Sequence, residues 1–447
     1  MVDLVLKNCR VISSSGVIDA GIAIDHGKIV AIASSTHLPR GDIELDLNGK
    51  LVMPGVIDVH VHAYDPRHFG PREDFRSVSI AAAAGGVTTI IEMPTDTPCV
   101  TVESLKEKIE AGERTSYIDF GLHAGNVQDL KKLNLDSLIE LGVNSFKVFL
   151  CEPYMIDDRD LLKFMEMVRG KGICIFHSES GYIVNHYTER LKSMERKDPL
   201  AYYESRPSLA ESEGINRIAT YSKLTGCRVH IAHLTAAEGL RIIERAKHEG
   251  IDISCETCPH YLIFTREDVE RLGPYLKMTP PLRSREDLEM LWRGLQAGII
   301  DMVATDHYST FREDKEPGWS DIWPIRSGIP GVETLLPLML SEGVNKGRLS
   351  LQDLPRILSE SPAKRFGMFP RKGIISVGSD ADLTVIDLNH EWVIEADKLH
   401  QRSDWTPYEG RKCKGRVYMT ILRGEIIFKD GEVIGCEGYG EYIARKF

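Results

Sequence analysis

The sequence predicts an α/β fold, a (β/α)8 TIM barrel carrying a small β-sandwich domain built from both chain ends. Two observations carry that prediction. Between about residues 51 and 310, eight short runs rich in β-branched residues alternate with longer amphipathic stretches. Strand followed by helix, repeated in this way, is the pattern of a closed parallel barrel. Residues 1–52 and 373–447 read instead as short strands joined by turn dipeptides such as His26-Gly27 and Asp430-Gly431. An open doubly wound sheet is the alternative, but no glycine-rich dinucleotide fingerprint follows the first run.

In chain order the barrel strands are expected at Val56–His62, Val87–Met93, Ile118–His123, Ser145–Leu150, Ile173–His177, Arg228–Leu234, Ile251–Glu256 and Asp301–Asp306. Helices between them are announced by segments such as "VESLKEKIEAGE", "AAEGLRIIERAKHEG" and "SREDLEMLWRGLQAG", several closing on a glycine that reads as a helix stop. The expected spans are 1–52 for the N-terminal part of the β domain, 53–372 for the barrel, and 373–447 for the C-terminal part of the β domain and a tail. Neither end holds enough apolar sequence for a core of its own, so the two are expected to pair.

Composition narrows the function. The 447 residues are 42% hydrophobic and 27% charged, which suits a globular chain with ample core. A formal net charge of -11 argues against nucleic acid or an anionic membrane as partner. No apolar run approaches the ~20 residues of a membrane span. The N-terminus has an acid and a lysine where a secretory signal needs its apolar core. Nine cysteines in such a chain read as free thiols, which points to the cytoplasm.

Chemistry is first visible in "GVIDVHVHAYDP". Asp58, His60 and His62 alternate with valines, so they share one strand face, ~7 Å from first to last. Two imidazoles aimed at one point make half of a metal site, although core histidines bonded to an aspartate leave the same trace. Other strand ends tip the balance. "SFKVFL" places Lys147 inside a strand, where an unpaired ammonium costs on the order of several kcal/mol. The fifth run ends in His177, the sixth contains His233 and the eighth ends in Asp306. All would gather at the C-terminal rim, where barrels of this kind place their active sites.

In order along the chain, "PGVIDVHVH", "AAAAGGVTTIIEMP", "SFKVFL", "HSES", "HIAHLT", "ETCPHYL", "KMTPPLR" and "VATDH" resemble the cyclic-ureide branch of the amidohydrolase superfamily: allantoinases, hydantoinases (dihydropyrimidinases) and dihydroorotases. The likeness covers nearly the whole chain. It implies a binuclear hydrolase in which His60, His62 and Asp306 hold one divalent cation and His177 and His233 the other. Lys147, carboxylated by carbon dioxide, bridges them, and Asp306 acts as catalytic base and acid. Zinc is the default metal, with manganese, cobalt or iron also fitting the donors. Asp58 reads as a residue that orients the histidine pair. The resemblance also implies a homo-oligomer, dimer or tetramer.

The ring is harder to name. Tyr64, Thr95 and Thr310 stand where dihydroorotases keep polar partners for the substrate carboxylate, one of them an arginine. Glu152 occupies the usual place of the hydantoinase oxyanion tyrosine, and Tyr154, two residues on, is a substitute. "SRPSLAESEG", "PPLR" and "TPYEGR" look closest to allantoinase, which makes allantoin the first choice and a hydantoin or imide the second. Expected substrate contacts are Tyr64, Thr95, Tyr154, Thr279, His260 and Gly328. The CxxC pair Cys255 and Cys258 lacks a second pair and reads as packing. The long segment 308–329, with Trp319 and Trp323, reads as a lid or a subunit contact.

Overall fold

The structure is a computed structural model that describes residues 1–63, 73–95 and 98–446. Five strands come from the N-terminal span: β1 (Val2–Ser13), β2 (Gly16–Asp25), β3 (Lys28–Ala33), β4 (Gly41–Asp46) and β5 (Leu51–Pro54). In β1 the buried side chains run Leu4, Leu6, then Cys9, Val11, a break in the alternation. A register shift between Leu6 and Cys9 absorbs the extra residue and keeps the apolar face inward.

The barrel follows as β6 (Val56–Val61), β7 (Val87–Glu92), β8 (Asp119–Leu122), β9 (Ala124–Gly125), β10 (Ser145–Phe149), β11 (Ile173–His177), β12 (Arg228–Ile231), β13 (Ile253–Thr257) and β14 (Met302–Val303). Neighbours pair in parallel as β6-β7-β8 and as β9 through β14. The expected third strand is divided at His123, so β8 pairs with β7 while β9 pairs with β10. His123 is a core histidine, its ring nitrogens bonded to Ser145 Oγ at 2.6 Å and Val59 O at 2.9 Å. Burial drives its pKa well below the ordinary value, which leaves it neutral.

Closure depends on Asp58. Its carboxylate accepts from Thr305 N at 3.1 Å and Thr305 Oγ1 at 2.5 Å, fastening β6 to the segment after β14. His62 N donates to His307 O at 2.9 Å, and Val61 bridges His307. Most barrel strands end within a residue or two of expectation, but two are markedly shorter. The sixth stops at Ile231 and the eighth at Val303, because His233 and Asp306 lie beyond them in left-handed backbone, φ 40° and 50°.

The C-terminal span adds β15 (Leu383–Val393), β16 (Lys412–Leu422), β17 (Glu425–Lys429) and β18 (Glu432–Val433). They join the N-terminal strands in one sheet, β18-β17-β16-β15-β5-β1-β2-β3, with β4 on β1. The junction is antiparallel, Leu383 opposite Pro54 and Val385 opposite Val52. Leu4, Ile22 and Val52 from one end share a core with Leu383, Met419 and Ile421 from the other. The last residues leave this core and run along the barrel, where Ile443 N donates to Phe120 O at 2.8 Å. Buried Lys372 ties the two parts, lying 2.6 Å from Asp119 of β8, 3.2 Å from Asp380 and 2.5 Å from Asp382. Among the described residues no helix is long and apolar enough to cross a membrane. All nine cysteines are free, and Cys255 and Cys258 are buried.

Candidate active site

The strand register carries the site. Lys147 in β10 pairs with Ile175 in β11, and His177 ends β11 beside Phe149. Gly125 of β9 lies against the Lys147 backbone, where a Cβ would come within 2.5 Å of Lys147 N, so only glycine fits there. His60 and His62 leave β6 on the same side, and both Nε2 atoms approach Asp306 Oδ1, at 3.0 and 3.1 Å. The other two histidines meet each other, His177 Nδ1 lying 3.1 Å from His233 Nε2. The His60 and His233 ring centroids are 5.4 Å apart, which joins the two groups. A cavity of about 700 Å³ is lined by all six side chains, His60, His62, Lys147, His177, His233 and Asp306.

Their outer partners fix the rings. His60 Nδ1 is 2.5 Å from Glu256 Oε1, and His62 Nδ1 is 3.0 Å from Met93 O. An Nδ1–H donated outward leaves an Nε2 lone pair facing the cavity. His177 Nε2 donates to Glu179 Oε2 at 2.8 Å, so its Nδ1 is the inward atom. Glu256 also accepts from His230 at 3.0 Å, and Glu179 from Arg206 Nη1 at 2.5 Å. Cys151, His177 and Glu179 form a second cluster of donor atoms within 4.8 Å of one another. "HSES" and "CETC" held the signal for Glu179 and Glu256, one acid two residues after an expected ligand and the other ending an expected barrel strand, but many such acids are merely solvated.

Comparison with known proteins agrees with this geometry. The model of the amidohydrolase family matches residues 51–427. The chain belongs to that family. An L-hydantoinase of Paenarthrobacter aurescens is 38% identical, covering 100% of this chain and 99% of that protein. An allantoinase of Deinococcus radiodurans is 35% identical over 97% of each. Among solved structures, L-hydantoinase (dihydropyrimidinase) from Arthrobacter aurescens superposes with a TM-score of 0.95 at 38% identity over 100% of both chains. D-hydantoinase from Thermus sp. superposes at 0.94 with 31% identity over 99% of both. The protein is thus a cyclic amidohydrolase of the hydantoinase and allantoinase type.

The amidohydrolase family implies a divalent metal centre, and the donors in this chain fit one. Burial opposes protonation of His60, yet Asp306 and Glu256 pull it up to about 9. The same surroundings hold the Asp306 carboxyl well below its usual range, against burial and through His60 and His62. The Glu256 and Asp306 carboxylates converge on these buried imidazoles, a mixed nitrogen and oxygen donor set that suits a divalent cation. His233 is pushed the other way, well below the ordinary value, by burial and by His177, and its buried Nδ1 has no hydrogen-bond partner among the described residues. Burial lowers Lys147 to about 8, and its Nζ stands 5.1 Å from the Phe149 ring centroid.

Of the expected substrate contacts, Thr95, Tyr154, Thr279 and Gly328 line the cavity. Tyr64 lies outside the described residues. His260 does not line it: the ring is buried against Tyr261, centroids 4.1 Å apart, and burial takes its pKa to about 3. The helix Pro259–Ile263 turns that ring into the core, which a single-letter motif does not reveal. Thr310 is buried and lies away from the cavity lining. The segment expected to be a lid contributes Trp323, Pro324, Ile325, Ser327 and Gly328 to the cavity wall.

Proposed function

We propose that this amidohydrolase opens the ring of a hydantoin bearing an apolar substituent at C5. One observation carries the reading: the cavity wall combines Phe149, Tyr154, Trp323, Pro324 and Ile325 with the convergent histidines. An apolar substituent gains there by burial, about 25 cal/mol per Å². Allantoin, the choice favoured by the sequence motifs, is the second reading. It is supported by the hydroxyls of Tyr202, Thr279 and Ser327, which border the same cavity and suit a ureido group. Dihydroorotate is the least suited, with Thr310 out of reach and the Arg206 charge engaged by Glu179.

In this reading His60, His62 and Asp306 would hold one divalent cation, zinc by default, and His177 and His233 the other. Lys147 would supply an anionic oxygen donor to them as a carbamate: its neutral amine nitrogen adds to carbon dioxide and loses a proton, leaving one negative charge. The lowered amine pKa favours that addition, and the carbamate replaces a buried ammonium with an anionic oxygen donor. Bound divalent cations supply Lewis acidity and bring the pKa of a water near neutrality. Asp306 takes the proton released as the water oxygen bonds to the ring carbonyl carbon. It then carries that proton to the ring nitrogen as the C–N bond breaks, since an amide anion leaves poorly. Tyr154, its ring 5.2 Å from Phe149, is assigned to donate to the carbonyl oxygen as charge develops there.

A ring-opening panel tests this reading: hydantoin, both enantiomers of 5-aryl and 5-alkyl hydantoins, allantoin, dihydrouracil, dihydroorotate and simple imides. The expected best kcat/KM falls on an apolar 5-substituted hydantoin. A preference for allantoin selects the second reading, and no ring opening with metal-loaded protein sinks both.

A further inference from the structure

Two buried lysines, Lys277 at the cavity lining and Lys315 outside it, take no part in the chemistry above. Lys277 Nζ donates to the backbone carbonyls of Ile322 at 2.8 Å, Trp323 at 3.1 Å and Ile325 at 2.5 Å. Lys315 Nζ donates to those of Gly328 at 2.8 Å and Arg326 at 2.9 Å, and reaches Lys277 O at 3.4 Å. Five carbonyls of the segment 322–328 therefore turn inward onto two side-chain ammoniums. Lys277 O also accepts from Gly328 N at 2.9 Å, joining the two cages. Aromatic rings flank both, Tyr202 4.6 Å from Lys277 Nζ and Trp405 5.5 Å from Lys315 Nζ.

The arrangement has a physical cause. An irregular segment has no ladder to satisfy its carbonyls, and carbonyls buried without donors cost as much as lost hydrogen bonds. An ammonium supplies three donors from one point, more than any neutral side chain, an amide offering two. Burial opposes the charge and pushes both amines down to about 7, so the fold sustains this solution at a cost. The other face of the segment presents Trp323 and Ile325 to the cavity. A segment whose backbone is pinned from below offers a rigid wall above.

We propose that Lys277 and Lys315 are positioning residues for substrate selection, holding the segment 322–328 against the substituent of the bound ring. The proposal rests on the reading that the cavity takes a substituted cyclic ureide. It separates two functions that share the cavity: the histidine rim performs the hydrolysis, and the caged segment chooses the ring.

The test uses the metal-loaded full chain with Lys277→Met and Lys315→Met, which keep length but remove the donors, and Lys315→Gln, which keeps an amide donor. Steady-state kinetics on unsubstituted hydantoin and a 5-aryl hydantoin are paired with metal content and hydrogen exchange across 322–328. For the methionine variants KM for the 5-aryl substrate is expected to rise about tenfold, and that for hydantoin by less than about twofold, with kcat and metal content near wild type. Exchange in 322–328 should accelerate, and Lys315→Gln should fall between. Equal KM changes for both substrates, or wild-type exchange in the segment, overturns the proposal. Should the methionine variants not fold, Lys315→Gln decides by the same two readouts. If wild-type protein opens neither ring, the proposed function fails while the exchange data still judge the cage.

Discussion

Glu256 Oε1 lies 2.5 Å from His60 Nδ1, and its other oxygen lies 3.0 Å from His230 Nε2. One buried carboxylate thus orients an imidazole of the rim and anchors itself on a histidine of the barrel interior. His230 is in turn bonded to Ser254 Oγ at 2.7 Å. The chain of contacts sets which His60 nitrogen faces the cavity. Glu256→Gln keeps the shape and removes the charge. Metal affinity is expected to fall about 10–100-fold, as is typical when the outer partner of a ligating histidine is altered. Metal content after dialysis against a graded chelator measures it, and retention equal to wild type would remove Glu256 from this role.

Lys147→Ala should abolish ring opening and lower the metal content together, because the amine proposed to carry the carbamate is gone. Short carboxylic acids added at high concentration should restore part of the activity by entering the vacated space. Full activity in the variant without such addition would sink the binuclear reading. Depleting carbon dioxide during metal loading of the wild type should mimic the substitution.

Lys277 gives the protein a pH dependence whose sign can be worked out. Its amine stands at about 7 in the folded protein, lowered by burial and then by Arg206 and Lys192, with Asp321 opposing. The ordinary value is 10.5. Between these limits the unfolded chain holds more protons than the folded one, so stability rises with pH across that window. Wild type should therefore gain stability relative to Lys277→Met as pH rises from about 7 towards 10. Denaturant unfolding of both proteins at several pH values tests this, and a difference that stays flat or falls contradicts it.

Lys372→Met should be strongly destabilising. It strands Asp119, Asp380 and Asp382, all buried, without the cation between them. Removing one partner of a buried ion pair costs about 3–5 kcal/mol. A chemical denaturation midpoint close to wild type would show that Arg423, Arg371 and Lys28, which also contact this cluster, suffice to neutralise it.

Much of the barrel and rim was legible because periodicity is a local property. Alternation in "VIDVHVH" announces a strand and states which residues share a face, and His60 and His62 do face one cavity with Asp306. The misplaced boundaries have a local cause too. The sequence places His233 and Asp306 within long strands, whereas left-handed backbone at both turns the chain earlier. Hydropathy does not register such a turn, since the residues around it are equally buried. His260 is buried outside the cavity lining, and a histidine in "ETCPHYL" carries no mark of which way its helix will aim it.

What the sequence determined by itself is the class of chemistry and the scaffold: residue types able to hold cations, spaced so that successive strands deliver them to one end of a barrel. What only tertiary structure decided is everything set by contacts between distant segments. Glu256 meets His60 across 196 positions, Asp58 meets Thr305 across 247, and Lys277 reaches the carbonyls that shape the cavity wall. These are hydrogen bonds and charge interactions effective only over a few ångströms, and a linear string leaves no periodic trace of which partners folding will bring that close.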